Sequence, residues 1–157
     1  MALHPTASEL NFVDSMMFWL RQIVPVNLVA SHKVVNSDEY EALANLFQDD
    51  FNNLFVILSL GEAHGSNQVN RSVSVGILTR QDPGNRKGLV LLDKLKEFIV
   101  PGLSIPFRDW QTGNGEVVSQ MTILDAAIGP WFDEADDFRS RTLAFAIGYA
   151  QIWYANP

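Results

Sequence analysis

The sequence predicts an α+β domain, a mostly antiparallel sheet of four to five strands with two to three helices packed on one face. Three observations predict it. Two apolar stretches repeat at helical spacing and stop at a proline. Several other stretches alternate apolar and polar residues with the period of a half-buried strand. The order reads helix, strand, helix, strand, strand, helix, strand, strand, with no regular strand–helix–strand alternation of the kind that builds parallel sheets. At 157 residues, positions 1-157 are expected to form a single domain.

The first helix follows Ser8, a good N-cap. Leu10, Val13, Met17, Leu20 and Val24 form one apolar stripe, and Phe12, Met16, Trp19 and Ile23 form a second beside it. Asn11, Asp14, Ser15, Arg21 and Gln22 are expected on the solvent side, with Phe18 in their midst and no evident intramolecular reason to be there. Residues 26–35 read as a strand. Ser37 caps a short helix to Phe47, with Asp38 and Glu39 in the first turn, where the helix dipole favours acids. Leu54–Leu60 is short, apolar and β-prone. Val69–Thr79 alternates, with Val69, Val73, Val75 and Ile77 on one face and Asn70, Ser72 and Ser74 on the other. The Gly-containing loop over 61–68 makes these two strands an antiparallel hairpin.

Pro83-Gly84 centres a turn. The helix after it, residues 86–100, turns Leu91, Leu92, Leu95, Phe98 and Ile99 inward and stops at Pro101-Gly102. Residues 103–115 are expected to be irregular, 117–123 to be a strand, and 124–137 to be irregular again. Residues 141–154 read as a long closing strand. Leu143, Phe145, Ile147 and Tyr149 face one way, and Ala144, Ala146, Gly148 and Ala150 the other. That second, small-residue face is expected to pack closely against a helix or another subunit.

Composition narrows function by exclusion. Hydrophobic residues make up 47% and charged residues 18%, the balance of a chain with a full core. The absence of cysteine removes disulfides, thiolate metal sites and thiol catalysis. Residues 1–6 lack the basic start and apolar core of a signal peptide, and no apolar run approaches the ~18 residues of a membrane helix, so no membrane partner is expected. With 18 acids against 11 basic residues, the net charge of −7 is unsuited to coating a duplex. It is compatible with a wall past which DNA slides without sticking, since like charge disfavours adhesion.

Catalytic constellations are weak. His64, Glu62 and Ser66 share a loop, but no Gly-x-Ser-x-Gly elbow surrounds the serine. His4 lies near the N-terminus and His32 in a strand. Asp133, Glu134, Asp136 and Asp137 lack the calcium-loop spacing. Gly84-Asn85-Arg86-Lys87-Gly88 opens a helix but lacks the Gly-Lys-Ser/Thr ending of a phosphate loop. No catalytic residue, metal site or cofactor is expected. The aromatic residues are more telling, because Trp and Tyr are enriched at interfaces. Phe18, Trp110, Trp131, Phe132, Trp153 and Tyr154 are the expected assembly contacts.

An opening helix at Leu10–Val24 precedes an alternating hairpin that ends in Ser72-Val73-Ser74-Val75-Gly76-Ile77. A polar loop, the helix Leu89–Ile99 and a Trp-bearing irregular segment follow. The chain then closes on Ala146-Ile147-Gly148-Tyr149-Ala150-Gln151-Ile152-Trp153-Tyr154. Over nearly its whole length this pattern resembles the tail-terminator (minor tail, tail-completion) proteins of long-tailed bacteriophages. The resemblance implies a structural virion protein that is not an enzyme. It implies a homo-oligomeric ring, typically a hexamer, that caps the tail tube and joins it to the head-neck. The implied partners are the tail-tube protein and a neck or connector protein, with DNA passing through the lumen without specific binding. The implied location is the tail-neck region of the virion, after assembly in the host cytoplasm. Another head-tail connector, such as a stopper or head-completion protein, is the alternative reading. A small hydrolase using the 61–66 loop is the third.

Overall fold

The computed structural model describes residues 9–24, 29–32, 54–65, 67–133 and 138–150. They form helix α1 (Glu9–Ile23), strands β1 (Val29–His32), β2 (Leu54–Leu60) and β3 (Gln68–Arg80), and a 3-10 turn at Pro83–Asn85. Helix α2 (Arg86–Lys96) follows, then β4 (Ser104–Asp109), β5 (Glu116–Ile128), β6 (Phe132–Asp133) and β7 (Phe138–Ala150). The strands make one sheet in the order β1-β2-β3-β7-β5-β4, with two-residue β6 also beside β7. The five strands β2, β3, β7, β5 and β4 pair antiparallel throughout. Four-residue β1 joins β2 in parallel at one edge. The fold is therefore α+β, as the alternation predicts.

Period-two burial sets the inner face. Along β3, Val69, Arg71, Val73, Val75, Ile77 and Thr79 are all buried. The register aligns Val73 with Phe145, Val75 with Leu143 and Val69 with Tyr149. Both helices cover this face. Phe12 of α1 stacks near Tyr149 at 6.1 Å, and Gly88 of α2 lies against Thr79. Phe12, Met16, Leu20, Leu92, Leu95, Ile105, Met121 and Ile123 fill the space between helices and sheet. Each such side chain, fully buried, contributes about 1.5–3 kcal/mol.

Helix α1 differs from its expected orientation. Asn11 and Ser15 are fully buried, while Leu10 is 58% exposed. The cause is the β4 edge. The Ser15 hydroxyl accepts the Arg108 N–H at 2.8 Å and donates to the Arg108 carbonyl at 3.3 Å. Asn11 Oδ1 accepts the Trp110 N–H at 2.9 Å and the Gln111 N–H at 3.2 Å. Two side chains one helical turn apart thus stand in for a neighbouring strand and seal an edge that would otherwise be open.

Other boundaries shift for similar reasons. Residues 104–109, expected to be irregular, are strand β4, with Ile105, Phe107 and Asp109 turned inward. Pro106 hides this alternation without disrupting it. The backbone of Arg108 faces outward to Ser15, so the missing N–H of Pro106 lies on the same outer side and costs no ladder bond. Strand β5 runs on to Ile128, five residues beyond the expected end, across a bulge between Ile123 and Asp125. Strand β7 begins at Phe138, three residues earlier than expected. Helix α2 ends at Lys96 and Phe98 is only partly buried. The expected helix Ser37–Phe47 and the chain beyond Ala150 lie outside the described residues.

Candidate functional site

Two surface features stand out. The first gathers around Phe18. Its ring lies 5.4 Å from that of Trp110, tilted by 52°, and the Arg108 guanidinium sits 4.7 Å above it. Phe18 therefore has intramolecular partners that the helical pattern does not reveal, yet it remains 40% exposed. Arg108 Nη1 donates to the Gly115 carbonyl at 2.9 Å, which aims the guanidinium along the loop that follows β4. Trp110 is half-buried, its indole edge set against Gly115 (φ +85°), where a Cβ would come within 2.5 Å of Nε1. Val117, aligned with Arg108 across the β4–β5 ladder, is 47% exposed. Together Phe18, Trp110, Arg108 and Val117 make an aromatic and aliphatic ridge built around one cation. Among the described residues Arg108 has no carboxylate partner.

The second feature lies on the sheet face opposite the helices. Ser59, Ser74, Ala144 and Ala127 align in one row across β2, β3, β7 and β5. Gly61, Ser72, Ala146 and Asp125 align in the next, with the Gly61 N–H donating to the Ser72 carbonyl at 2.8 Å. Because no side chain in these two rows is large, they leave a trough of about 500 Å³. Asp125 supplies its one carboxylate, which accepts the N–H of the next residue, Ala126, at 2.8 Å. Leu124, the residue before Asp125, is 50% exposed and leans over Gly148. Alternation along β7 makes the alanine face legible in the sequence. The serines and Asp125 join it only through strand order and register, which a linear reading does not supply.

The other expected contact residues are placed differently. Trp131 is half-buried and packs against the core, with Arg141 5.6 Å above its ring. Its ring covers Gly88 so closely that a Cβ there would stand 2.5 Å from Cη2. Gly88→Ala should therefore destabilise the fold by about 1–3 kcal/mol, despite the better helix propensity of alanine. Chemical denaturation checks this, and a gain in stability would mean that Trp131 moves aside freely. Phe132 lies in β6, where only its backbone is described. Trp153 and Tyr154 are outside the described residues; among those described, the structure brings Phe18 and Trp110 together.

The structure places the chemical candidates as follows. Asp82 accepts the Lys87 N–H at 3.0 Å and the Gly88 N–H at 2.9 Å, so a carboxylate of the chain itself occupies the start of α2, where a phosphate would bind. The His64 backbone forms a two-way bridge with Asn70, at 2.9 and 2.8 Å. Glu62 and His64 are exposed, and Ser66 is outside the described residues. Among the described residues no group of His, Asp or Glu converges as a metal site, and no helix is long and apolar enough to cross a membrane.

No protein family matches this chain, and no curated protein matches it. Among solved structures, 12 chains do. One, from a protein whose name states no activity, aligns over 99% of this chain and 100% of its own, with a TM-score of 0.55 and 11% identity. At that identity the likeness speaks for the fold alone.

Proposed function

We propose that this protein is a structural virion protein, a ring-forming phage tail terminator that caps the tail tube and joins the tail to the head-neck. The observation that carries this reading is the pairing of two unlike surfaces on one small domain, an aromatic–arginine ridge and a trough of small residues on the sheet face opposite the described helices. A closed ring needs such a heterologous pair, because each copy must offer one patch to the copy before it and another to the copy after. The resemblance in element order to tail terminators supports the same reading, as does the acidic balance, which suits a lumen through which DNA passes without adhering. The partners in this reading are further copies of the chain, the tail-tube protein and a neck protein.

Native mass spectrometry and light scattering, with and without tail-tube protein, test it. Rings that bind tube ends are expected. A chain that stays monomeric at high concentration and never binds tube ends would sink the idea. Imaging of the virion separates a terminator from another connector by its position along the tail axis. Phe18→Ser gives a sharper readout. It should cost only about 1 kcal/mol of folding stability, the loss of one exposed aromatic contact, yet weaken self-association ~10-fold or more. A folding loss of several kcal/mol would place Phe18 in the core instead.

A further inference from the structure

We infer that the ridge around Arg108 docks into the Asp125 trough of a second copy of this chain, so that Arg108 and Asp125 form the charge pair of a head-to-tail interface. This inference rests on the ring reading and specifies which surfaces meet.

Charge argues for it first. Among the described residues Arg108 faces an aromatic ring and a carbonyl but no carboxylate, and Asp125 accepts one backbone N–H but faces no cation. They cannot serve one another within a single copy. Val117 is the strand partner of Arg108, and Asp125 lies eight residues further along β5. Two register shifts leave six ladder steps between them, so at roughly 3.3 Å per step the two are held about 20 Å apart. Each charge is flanked by matching apolar surface. Phe18, Trp110 and Val117 border Arg108, while Leu124 and Ala127 border Asp125.

Shape agrees. Glycine, alanine, serine and one aspartate across four strands leave a depression with hydroxyls to receive hydrogen bonds and little side-chain bulk to displace. Arg108 is set to fill such a depression, because Phe18 and the Gly115 carbonyl already restrict its guanidinium and less freedom is lost on docking. In a ring each copy offers its ridge to one neighbour and its trough to the other, so the contact propagates copy after copy until the rotation closes.

A charge swap tests this. Self-association of the full chain is measured by native mass spectrometry and sedimentation for the wild type, Arg108→Asp, Asp125→Arg and the double swap, with thermal melts confirming that each variant is folded. Each single change should weaken association ~10-fold or more, and the double swap should return it to within about threefold of wild type. Because Arg108→Asp also disturbs the Gly115 contact, Arg108→Gln and the exposed Asp125→Ala serve as milder versions with the same expected direction. Wild-type-like association of the single variants, or a double swap as weak as the singles combined, overturns the interface while leaving a ring possible. A wild type that stays monomeric with or without tail-tube protein overturns both.

Discussion

Arg71→Ala is expected to cost about 2–4 kcal/mol of folding stability, while Glu9→Gln, the change on the other side of the same ion pair, costs less than about 1 kcal/mol. The asymmetry follows from burial. Arg71 is 4% exposed and Glu9 is 70% exposed. Arg71 Nε donates to the Tyr149 hydroxyl at 3.1 Å and Nη1 to the Gly61 carbonyl at 3.3 Å, while the guanidinium lies 3.9 Å from the centre of the Phe12 ring. Burial by itself would lower its pKa, but the hydrogen bond it donates to Glu9 and the nearby Tyr149 oxygen outweigh that and raise it, so the cation persists at every ordinary pH. Truncation leaves a void beside Phe12 and strips partners from three oxygens, those of Tyr149, Gly61 and Glu9. Neutralising Glu9 removes only a solvent-screened attraction. Denaturant unfolding of the two variants checks the difference, and equal losses would show that the ion pair itself, not the buried guanidinium, holds α1 to β3.

Asp109→Ala is expected to be comparably severe, at about 3 kcal/mol, and to carry a pH signature. The buried Asp109 carboxylate accepts the Thr112 hydroxyl, the Thr112 N–H at 3.0 Å, the Gln111 N–H at 3.1 Å and Asn11 Nδ2 at 2.9 Å. The Thr112 hydroxyl, against the opposing effect of burial, holds the carboxyl below its ordinary range, with the Thr112 N–H, Asn11 and the Gln111 N–H adding to it. In the unfolded chain the group takes up its proton near pH 3.9, a value typical of Asp, and in the folded chain only at lower pH. Its stabilisation is therefore fully present above about pH 5 and fades as pH falls through the folded value. Asp109→Asn should lose about 1–2 kcal/mol at neutral pH and flatten the acid limb of the stability curve below about pH 4. An acid limb unchanged by Asp109→Asn would assign that limb to other carboxylates.

These two residues also show where sequence reading stops. Arg71 sits on the buried parity of β3, between Val69 and Val73, and a hydropathy pattern passes over it. Only the arrival of Tyr149, Glu9 and Phe12 from distant positions gives that cation a place. Asn11 and Ser15 are polar, so the helical pattern turns them to water. They are buried because β4 needs edge partners, and β4 is itself concealed by Pro106. Phe18 is recognisably out of place in the sequence, but its meeting with Trp110 and Arg108 depends on α1 lying along β4.

The sequence alone determined the α+β class, the inner faces of β3, β7 and α2, and the small-residue face of β7, because side-chain periodicity is local and burial follows it. It also marked the chain as poor in catalytic constellations. The tertiary structure decided strand order, register and the sealing of the β4 edge, and with them both the ridge around Arg108 and the trough around Asp125. Those surfaces join residues that are distant along the chain, and pairings between distant segments leave no periodic trace in either one.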